Sequence, residues 1–107
     1  MKTGVELIAE ERKRQVEVEG WSSEHDDKYM KGALSDAGAC YAIASGELQM
    51  RGEALPPNPG LWPFHPSWWK PGDDPIRALV KAGALIAAEI DRIHRRESGQ
   101  SIEQTQP

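Results

Sequence analysis

The segment from residue 52 to residue 74 constrains the fold most, because six prolines stand in it. They are Pro56, Pro57, Pro59, Pro63, Pro66 and Pro71. A proline has a fixed φ and no backbone N–H, so neither a regular helix nor a central strand forms here. Three of the four tryptophans also lie in this segment, and disordered linkers are poor in aromatic residues. We therefore predict a long, ordered Pro/Trp-rich loop.

Two roles are open for this loop. In the first, its aromatic side chains cover the helices as a lid and complete a thin core, while its prolines lower the entropy cost of ordering it. In the second, one ring stacks on the base of a bound ligand. Trp68 or Trp69 is suited to that stacking, with the other one packed inward.

The clearest helix follows the loop and extends from Pro75 to about Arg96. Asp74 and Pro75 are a typical N-cap and first helical residue. Apolar residues then recur at helical spacing in one stripe: Ile76, Leu79, Val80, Gly83, Ile86, Ala87, Ile90 and Ile93. The stripe is wider than one thin domain covers, so we predict a homo-oligomer, with a two-fold dimer as the default. Alternatively, the loop covers the stripe and the chain is monomeric.

Two helices precede the loop, one from about Thr3 to Val18 and one from about Asp27 to Met50. The second has an apolar face made of Met30, Ala33, Leu34, Ala37, Tyr41, Ala44 and Leu48. Three main helices predict an all-α fold, a small antiparallel bundle with the long loop between helices 2 and 3. Residues 1–99 form its single domain, and residues 100–107 are expected to be a disordered polar tail.

The apolar stripe of the first helix has a gap. Helical spacing from Ile8 places Glu11, Arg12 and Gln15 where apolar residues would continue the stripe. Burying polar groups is costly unless they are paired. Either this helix lies at the rim and these side chains are in water, or they line a polar pocket.

An acidic turn, residues 24–27, stands before the second helix and contains Glu24, His25, Asp26 and Asp27. Carboxylates in a first turn stabilise a helix through its dipole, which is a purely structural explanation. The imidazole of His25 is not stabilised by the positive end of a helix dipole, so a metal site is the alternative explanation. Asp36 lies nine residues beyond Asp27, about 13 Å along a helix, so one ion joins them only if the helix starts later, near residue 31.

Composition excludes some classes of function. A net charge of −4 argues against binding a nucleic acid polymer, although a divalent cation could supply positive charge for a nucleotide. The single cysteine, Cys40, has no partner for an intramolecular disulfide, is expected in the core, and favours a reducing compartment. No apolar stretch reaches the roughly 20 residues of a membrane span, and the N-terminus has no signal-peptide pattern. We expect a cytoplasmic protein that does not contact membranes.

Several blocks of the sequence carry a resemblance when they are taken together. They are Glu11-Arg12-x-x-Gln15, Glu19-Gly20-Trp21-x-x-Glu24-His25-Asp26-Asp27, Ala39-Cys40-Tyr41-Ala42, Trp68-Trp69-Lys70-Pro71, Leu79-Val80-Lys81-Ala82-Gly83-Ala84-Leu85-Ile86 and Ala88-Glu89-Ile90. In these blocks the chain resembles a family of small proteins from tailed bacteriophages and prophages. The resemblance implies the cytoplasm of a bacterial host and an accessory role, such as modifying nucleotide pools or blunting host defences.

A weaker resemblance is to the MazG-like all-α nucleotide pyrophosphohydrolases. Glu24-x-x-Asp27 fits their second metal motif, whereas Glu10-Glu11 is followed by Arg14 where their first motif has a third Glu. For such a hydrolase, the carboxylates of Glu24, Asp26, Asp27 and Asp36 offer the oxygen ligands that Mg²⁺ prefers. Water activation would fall to Glu11, His25 or Asp27. Ligand binding would fall to Arg12, Gln15, Trp68, Trp69 and Lys81.

Three functions stay open from the sequence. The first is Mg²⁺-dependent hydrolysis of a nucleotide, with carboxylates and substrate phosphates completing an octahedral shell. The second is binding without chemistry, in which loop aromatics stack on a base while Arg12, Gln15 and Lys81 hold phosphates, so that a nucleotide or signal is sequestered. The third is a protein-interaction module, with His25 paired to a neighbouring acid in a structural turn.

Overall fold

The computed structural model describes residues 1–28 and 32–98, and at His25 it describes the backbone only. Its helices are α1 (Gly4–Glu17), α2 (Ser23–Asp26), α3 (Ala33–Arg51) and α4 (Pro75–Glu97), with a 3₁₀ turn at Pro66–Trp68. Within these ranges there is no strand, which confirms the predicted all-α fold with three main helices. No described helix combines the length and hydrophobicity needed to cross a bilayer. The predicted tail, residues 100–107, lies outside the described residues.

Helix α1 has the predicted extent because local signals define both of its ends. At the start, Thr3 Oγ1 accepts a hydrogen bond from the Glu6 amide at 3.2 Å, and Glu6 Oε1 accepts one from the Thr3 amide at 2.9 Å. After the end of the helix, Gly20 has a left-handed φ of +75°, a conformation that glycine adopts more easily than other residues. The chain then turns back so that the Trp21 amide donates to Gln15 O at 2.9 Å.

The predicted start of the second helix at Asp27 is wrong. The acidic turn forms its own one-turn helix, α2, and α3 begins only at Ala33. The reason is Gly32, whose φ of +85° is left-handed and cannot continue a right-handed helix. The expectations for residues 30 and 31 lie outside the described residues. At its other end α3 stops at Gly52, again with a left-handed φ of +83°.

Helices α3 and α4 are antiparallel and form the largest packing contact of the fold. Ser45 Oγ donates to Pro75 O at 2.9 Å, and Ser35 Oγ donates to Glu89 Oε2 at 3.2 Å, so opposite ends of the two helices meet. As predicted, Asp74 caps α4 by accepting from the Ile76 amide at 2.9 Å.

Helix α1 packs on α4 at Gly83. A Cβ placed on Gly83 would lie 2.5 Å from Ile8 Cδ1, so a larger residue there would displace the Ile8 side chain.

The core lies between the α3–α4 pair and the long loop. The predicted apolar face of α3 is buried, and Cys40 is buried with it. Trp69 stacks on the Tyr41 ring with the centroids 4.8 Å apart, and Trp62 meets the same ring edge-on at 5.7 Å. The loop therefore covers the helices, as the lid interpretation predicted. Burial raises the pKa of the Cys40 thiol, and the charge of Asp36 raises it further.

The apolar stripe of α4 does not face this core. The buried side of α4 consists of Ala78, Val80, Ala82, Ala84, Leu85, Ala88, Glu89 and Arg92. Five large stripe residues are instead 39–60% exposed: Ile76, Leu79, Ile86, Ile90 and Ile93. Small residues on the buried side let α3 and the loop approach closely, which leaves the branched side chains outside. The alternative in which the loop covers the stripe does not hold for the described residues.

Candidate functional site

A cleft of about 540 Å³ opens between α1, α4 and the long loop. We call it the aromatic cleft, because five aromatic side chains line it together with six charged ones. Its lining residues are Glu11, Arg14, Gln15, Glu19, Trp21, Tyr41, Trp62, Phe64, Trp68, Lys70, Arg77, Lys81 and Leu85. Pockets of this size accommodate small molecules of the size of a nucleotide.

At the base of the cleft a buried carboxylate, Glu11, joins two helices. Its side chain is 2% exposed and accepts Arg14 Nε and Nη2 at 2.8 and 2.9 Å, a two-point pairing within α1. Arg77 Nη2 of α4 approaches Glu11 Oε1 at 2.6 Å. Gln15 Nε2 donates to Glu11 Oε2 at 3.3 Å. Both guanidinium groups are thereby held at fixed positions on the rim of the cleft.

Opposing influences act on the pKa of Glu11. Burial raises it, but hydrogen bonds from Arg14 and Arg77, with the charges of both arginines, outweigh burial and lower the pKa below 4.5. The hydrogen bond to Glu11 likewise raises the pKa of Arg14. The Glu11 carboxylate is therefore ionised at neutral pH.

We expect the ionised Glu11 to make stability sensitive to acid. Because the folded-state pKa of Glu11 is below its ordinary value of 4.5, its contribution is complete above that pH and is lost as the pH falls further. The free energy of unfolding should therefore fall less steeply below pH 4.5 in Glu11→Gln than in the wild type. Urea unfolding at a series of pH values measures this, with Glu10→Gln correcting for net charge. Equal slopes in all three proteins would contradict the prediction.

Only one of the two polar atoms of the Gln15 side-chain amide has a hydrogen-bond partner among the described residues. Its side chain is buried, with the residue 2% exposed, and Oε1 has no hydrogen-bond donor among the described residues. Buried polar atoms are nearly always paired, and an unpaired one costs about 1–3 kcal/mol. Because Nε2 is engaged by Glu11, the free acceptor is Oε1. Because Gln15 also lines the cleft, its buried carbonyl oxygen is suited to an N–H or O–H donor of a ligand.

One aromatic side chain of the cleft is free to stack. Trp68 is 50% exposed and contacts Phe64 at a centroid distance of 5.6 Å. Trp69, the other candidate for stacking, packs on Tyr41 in the core and does not line the cleft. This is the division that the second interpretation of the loop described, with one tryptophan outward and the other inward.

Lys81 ties the loop to α4 at the edge of the cleft. Its Nζ donates to Lys70 O at 2.6 Å and lies 5.6 Å from the centroid of the Tyr41 ring. Burial lowers the pKa of Lys81, and the charge of Arg77 acts in the same direction. The anionic group of a bound ligand would relieve both effects, since it would offset the lost hydration and the repulsion.

The charge of the cleft differs from that of the whole chain. Four basic side chains line it, Arg14, Lys70, Arg77 and Lys81, against two acidic ones, Glu11 and Glu19. The chain as a whole has a net charge of −4. A locally positive concave surface on an acidic protein attracts anions into the cleft.

The acidic turn lies outside the aromatic cleft and is held by ion pairs. Asp26 is 1% exposed, and its Oδ2 accepts Arg12 Nη2 of α1 at 2.9 Å. Asp27 Oδ1 accepts Arg95 Nη2 of α4 at 2.6 Å. Arg12 therefore points to the acidic turn and not into the cleft. The two ion pairs connect the acidic turn to α1 and α4.

The carboxylates of the predicted metal site either pair with arginines or lie at the surface. Asp26 and Asp27 are engaged by arginines, and Glu24 and Asp36 are exposed. In residues 1–28 and 32–98, no three His, Cys, Asp or Glu side chains are grouped so that they could hold one ion. The imidazole of His25 lies outside the description. The Mg²⁺ site remains a prediction, and no reaction step is derived through it.

The structure thus brings four of the predicted site residues together, namely Glu11, Gln15, Trp68 and Lys81. Arg12, Trp69 and the acidic turn lie elsewhere. Sequence reasoning missed Arg14 and Arg77. The spacing of Glu11 and Arg14, three residues apart on one helix, could have indicated the first pair. Nothing in the sequence links Arg77 to α1.

Comparison with known proteins adds no relative. No protein-family model matches the chain, and neither the curated proteins nor the solved structures yielded a match. Statements about function therefore rest on the geometry of the aromatic cleft.

Proposed function

We propose that the protein binds a nucleotide, or a similar small ligand with a base and a phosphate, in the aromatic cleft and sequesters it without chemistry. The observation that carries the proposal is the unpaired carbonyl oxygen of Gln15, buried in a cleft with aromatic and cationic walls. A nucleotide offers a matching group for each feature: an N–H donor on the base, a π-face and phosphate oxygens.

Stacking is the first supporting contact. The exposed ring of Trp68 is available to a base, and Phe64 limits its movement. Stacking of a base on an aromatic side chain contributes about 1–3 kcal/mol. The N–H donor of the base would then reach Gln15 Oε1, and a buried acceptor of this kind discriminates against ligands that lack the donor.

Phosphate binding is the second supporting contact. Arg14 and Arg77 are held by the buried Glu11, so their guanidinium groups need little further ordering when a ligand binds. Guanidinium groups match phosphate geometry better than a lysine does. Lys81 adds a third cation at the edge of the cleft.

Binding without chemistry is favoured because three of the carboxylates that a hydrolase could have used are engaged by arginines. Glu11 is shared between two arginines, and Asp26 and Asp27 each pair with one. A hydrolase would instead need a carboxylate free to activate water or hold Mg²⁺. The resemblance to phage and prophage proteins, and with it a role against host defences, stays part of this proposal.

The test is to incubate the protein with pooled nucleoside triphosphates, deoxynucleotides and cyclic dinucleotides, once with Mg²⁺ and once with EDTA. Free and heat-released fractions are then separated by chromatography. We expect one intact nucleotide in the heat-released fraction under both conditions. New monophosphate or pyrophosphate that forms only with Mg²⁺ would instead establish a hydrolase. If no nucleotide is retained or converted, the proposal is wrong.

The same ligand allows a prediction for Trp68. We expect Trp68→Ala to weaken binding by roughly 5- to 150-fold, the equivalent of losing about 1–3 kcal/mol of stacking. Trp68→Phe keeps an aromatic face and should retain most of the affinity. Isothermal titration calorimetry with the captured nucleotide measures both. Equal affinity of Trp68→Ala and the wild type would show that the ligand does not stack there.

A further inference from the structure

The outward side of the α3–α4 pair carries an apolar surface that nothing in residues 1–28 and 32–98 covers. We call it the isoleucine face and define it as Leu79, Ile86, Ile90 and Ile93 of α4 with Ile43 of α3. The four α4 residues are 39–49% exposed and Ile43 is 54% exposed. Leu79, Ile86 and Ile93 are seven residues apart, the spacing at which a helix packs along a second helix.

The surface continues from one helix onto the other. Gly38 of α3 has no side chain, and a Cβ there would lie 3.1 Å from Ile86 Cγ1. Ile86 therefore extends across to α3, a helix on which Ile43 is also exposed. The aromatic cleft involves the opposite side of α4, through Lys81 and Leu85. A partner on the isoleucine face would leave the cleft open.

We propose that a second copy of this chain covers the isoleucine face, with the two α4 helices antiparallel about a two-fold axis. The isoleucine face extends from Leu79 to Ile93, about 21 Å along α4, and two adjacent helices are about 20 Å wide. That is about 400 Å² for each partner, roughly half of a standard interface, so we expect a dimer that dissociates on dilution.

Charge complementarity selects a second copy in this orientation. Asp73 and Asp74 precede α4, whereas its last turn holds His94 and Arg96 beside one acid, Glu97; Arg95 of the same turn pairs with Asp27. Antiparallel pairing places the acidic start of each α4 near the basic end of the other, and a two-fold axis repeats the contact. The two helix dipoles also oppose each other favourably. Parallel pairing would bring like charges together.

The test is sedimentation velocity across the micromolar concentration range. We expect the wild type to approach twice its chain mass of 11.9 kDa as the concentration rises. Ile90→Glu should sediment as a monomer, because it buries a charge in the interface. Trp68→Glu is the matched control: Trp68 and Ile90 are 50% and 49% exposed, but Trp68 lies in the cleft, so this variant should remain dimeric. Helical circular dichroism verifies that each variant is folded.

Charge reversal tests the orientation. Asp73→Lys should weaken the dimer, and adding Arg96→Glu to it should restore dimerisation, because the pair is exchanged across the axis. A wild type that stays monomeric throughout the concentration range would overturn the proposal. A folded Ile90→Glu variant that remains dimeric would also overturn it, and so would a double variant weaker than Asp73→Lys alone.

Discussion

Asp26→Asn should lower the free energy of unfolding by about 3–5 kcal/mol, the cost of removing one partner from a buried ion pair. Asp26 is 1% exposed, and the Arg12 side chain that it binds is 18% exposed, so the guanidinium would lose its carboxylate with little water to replace it. Domains of this size are stable by only about 5–15 kcal/mol. The variant would therefore be close to unfolding. Urea unfolding followed by circular dichroism measures the loss.

Asp27→Asn is the matched control, since it makes the same change one residue later. The Asp27 side chain is 37% exposed and pairs with Arg95 at the surface, where ion pairs contribute about 0–1 kcal/mol. If the role of Asp26 is structural, Asp26→Asn should lower the free energy of unfolding by the same amount in Mg²⁺ and in EDTA. A loss seen only with Mg²⁺ would make Asp26 a metal ligand. If Asp27→Asn destabilises more than Asp26→Asn, the assignment of the buried pair is wrong.

Glu11→Gln is expected to cost about 2–3 kcal/mol of stability at neutral pH. The substitution keeps the shape but removes the charge that joins Arg14 of α1 to Arg77 of α4. The cost should be below that of Asp26→Asn, because both arginines are about 40% exposed and recover hydration. Thermal and urea unfolding measure it.

Glu10→Gln and a double-mutant cycle are the controls for Glu11. Glu10 is an exposed neighbour paired with Lys2, so its loss should stay within about 0.5 kcal/mol. If the Glu11–Arg77 contact is responsible for the cost, the double variant should lose less stability than the sum of the losses in Glu11→Gln and Arg77→Gln. The expected coupling is about 0.5–3 kcal/mol. Strict additivity would show that the helices are joined by other contacts.

Helix ends were the most predictable part of this fold. Thr3 with Glu6, and Asp74 with Pro75, act on backbone groups within four residues, so their effect can be read without the tertiary structure. The break before α3 was missed because apolar spacing continues across it. Gly32 is tolerated inside helices, and only its left-handed conformation in the folded chain ends the pattern.

The candidate site was predictable in part for a similar reason. Glu11 and Gln15 interrupt an apolar stripe, which is a local signal of a buried polar site, and both are buried in the cleft. Arg12 lies on the same helix, yet its partner Asp26 is fourteen residues away and directs it elsewhere. Which side of a helix meets which neighbour is a long-range property.

By itself, the sequence determined the all-α class, the cap of α4 and the position of the Pro/Trp-rich loop, because propensity, capping and proline stereochemistry act locally. Only the tertiary structure decided which side of α4 is buried. Both sides are apolar, and the one with small residues packs against α3 and the loop because it permits closer contact. That choice also brought Arg77 to Glu11, forming the aromatic cleft on one side of α4 and leaving the isoleucine face exposed on the other.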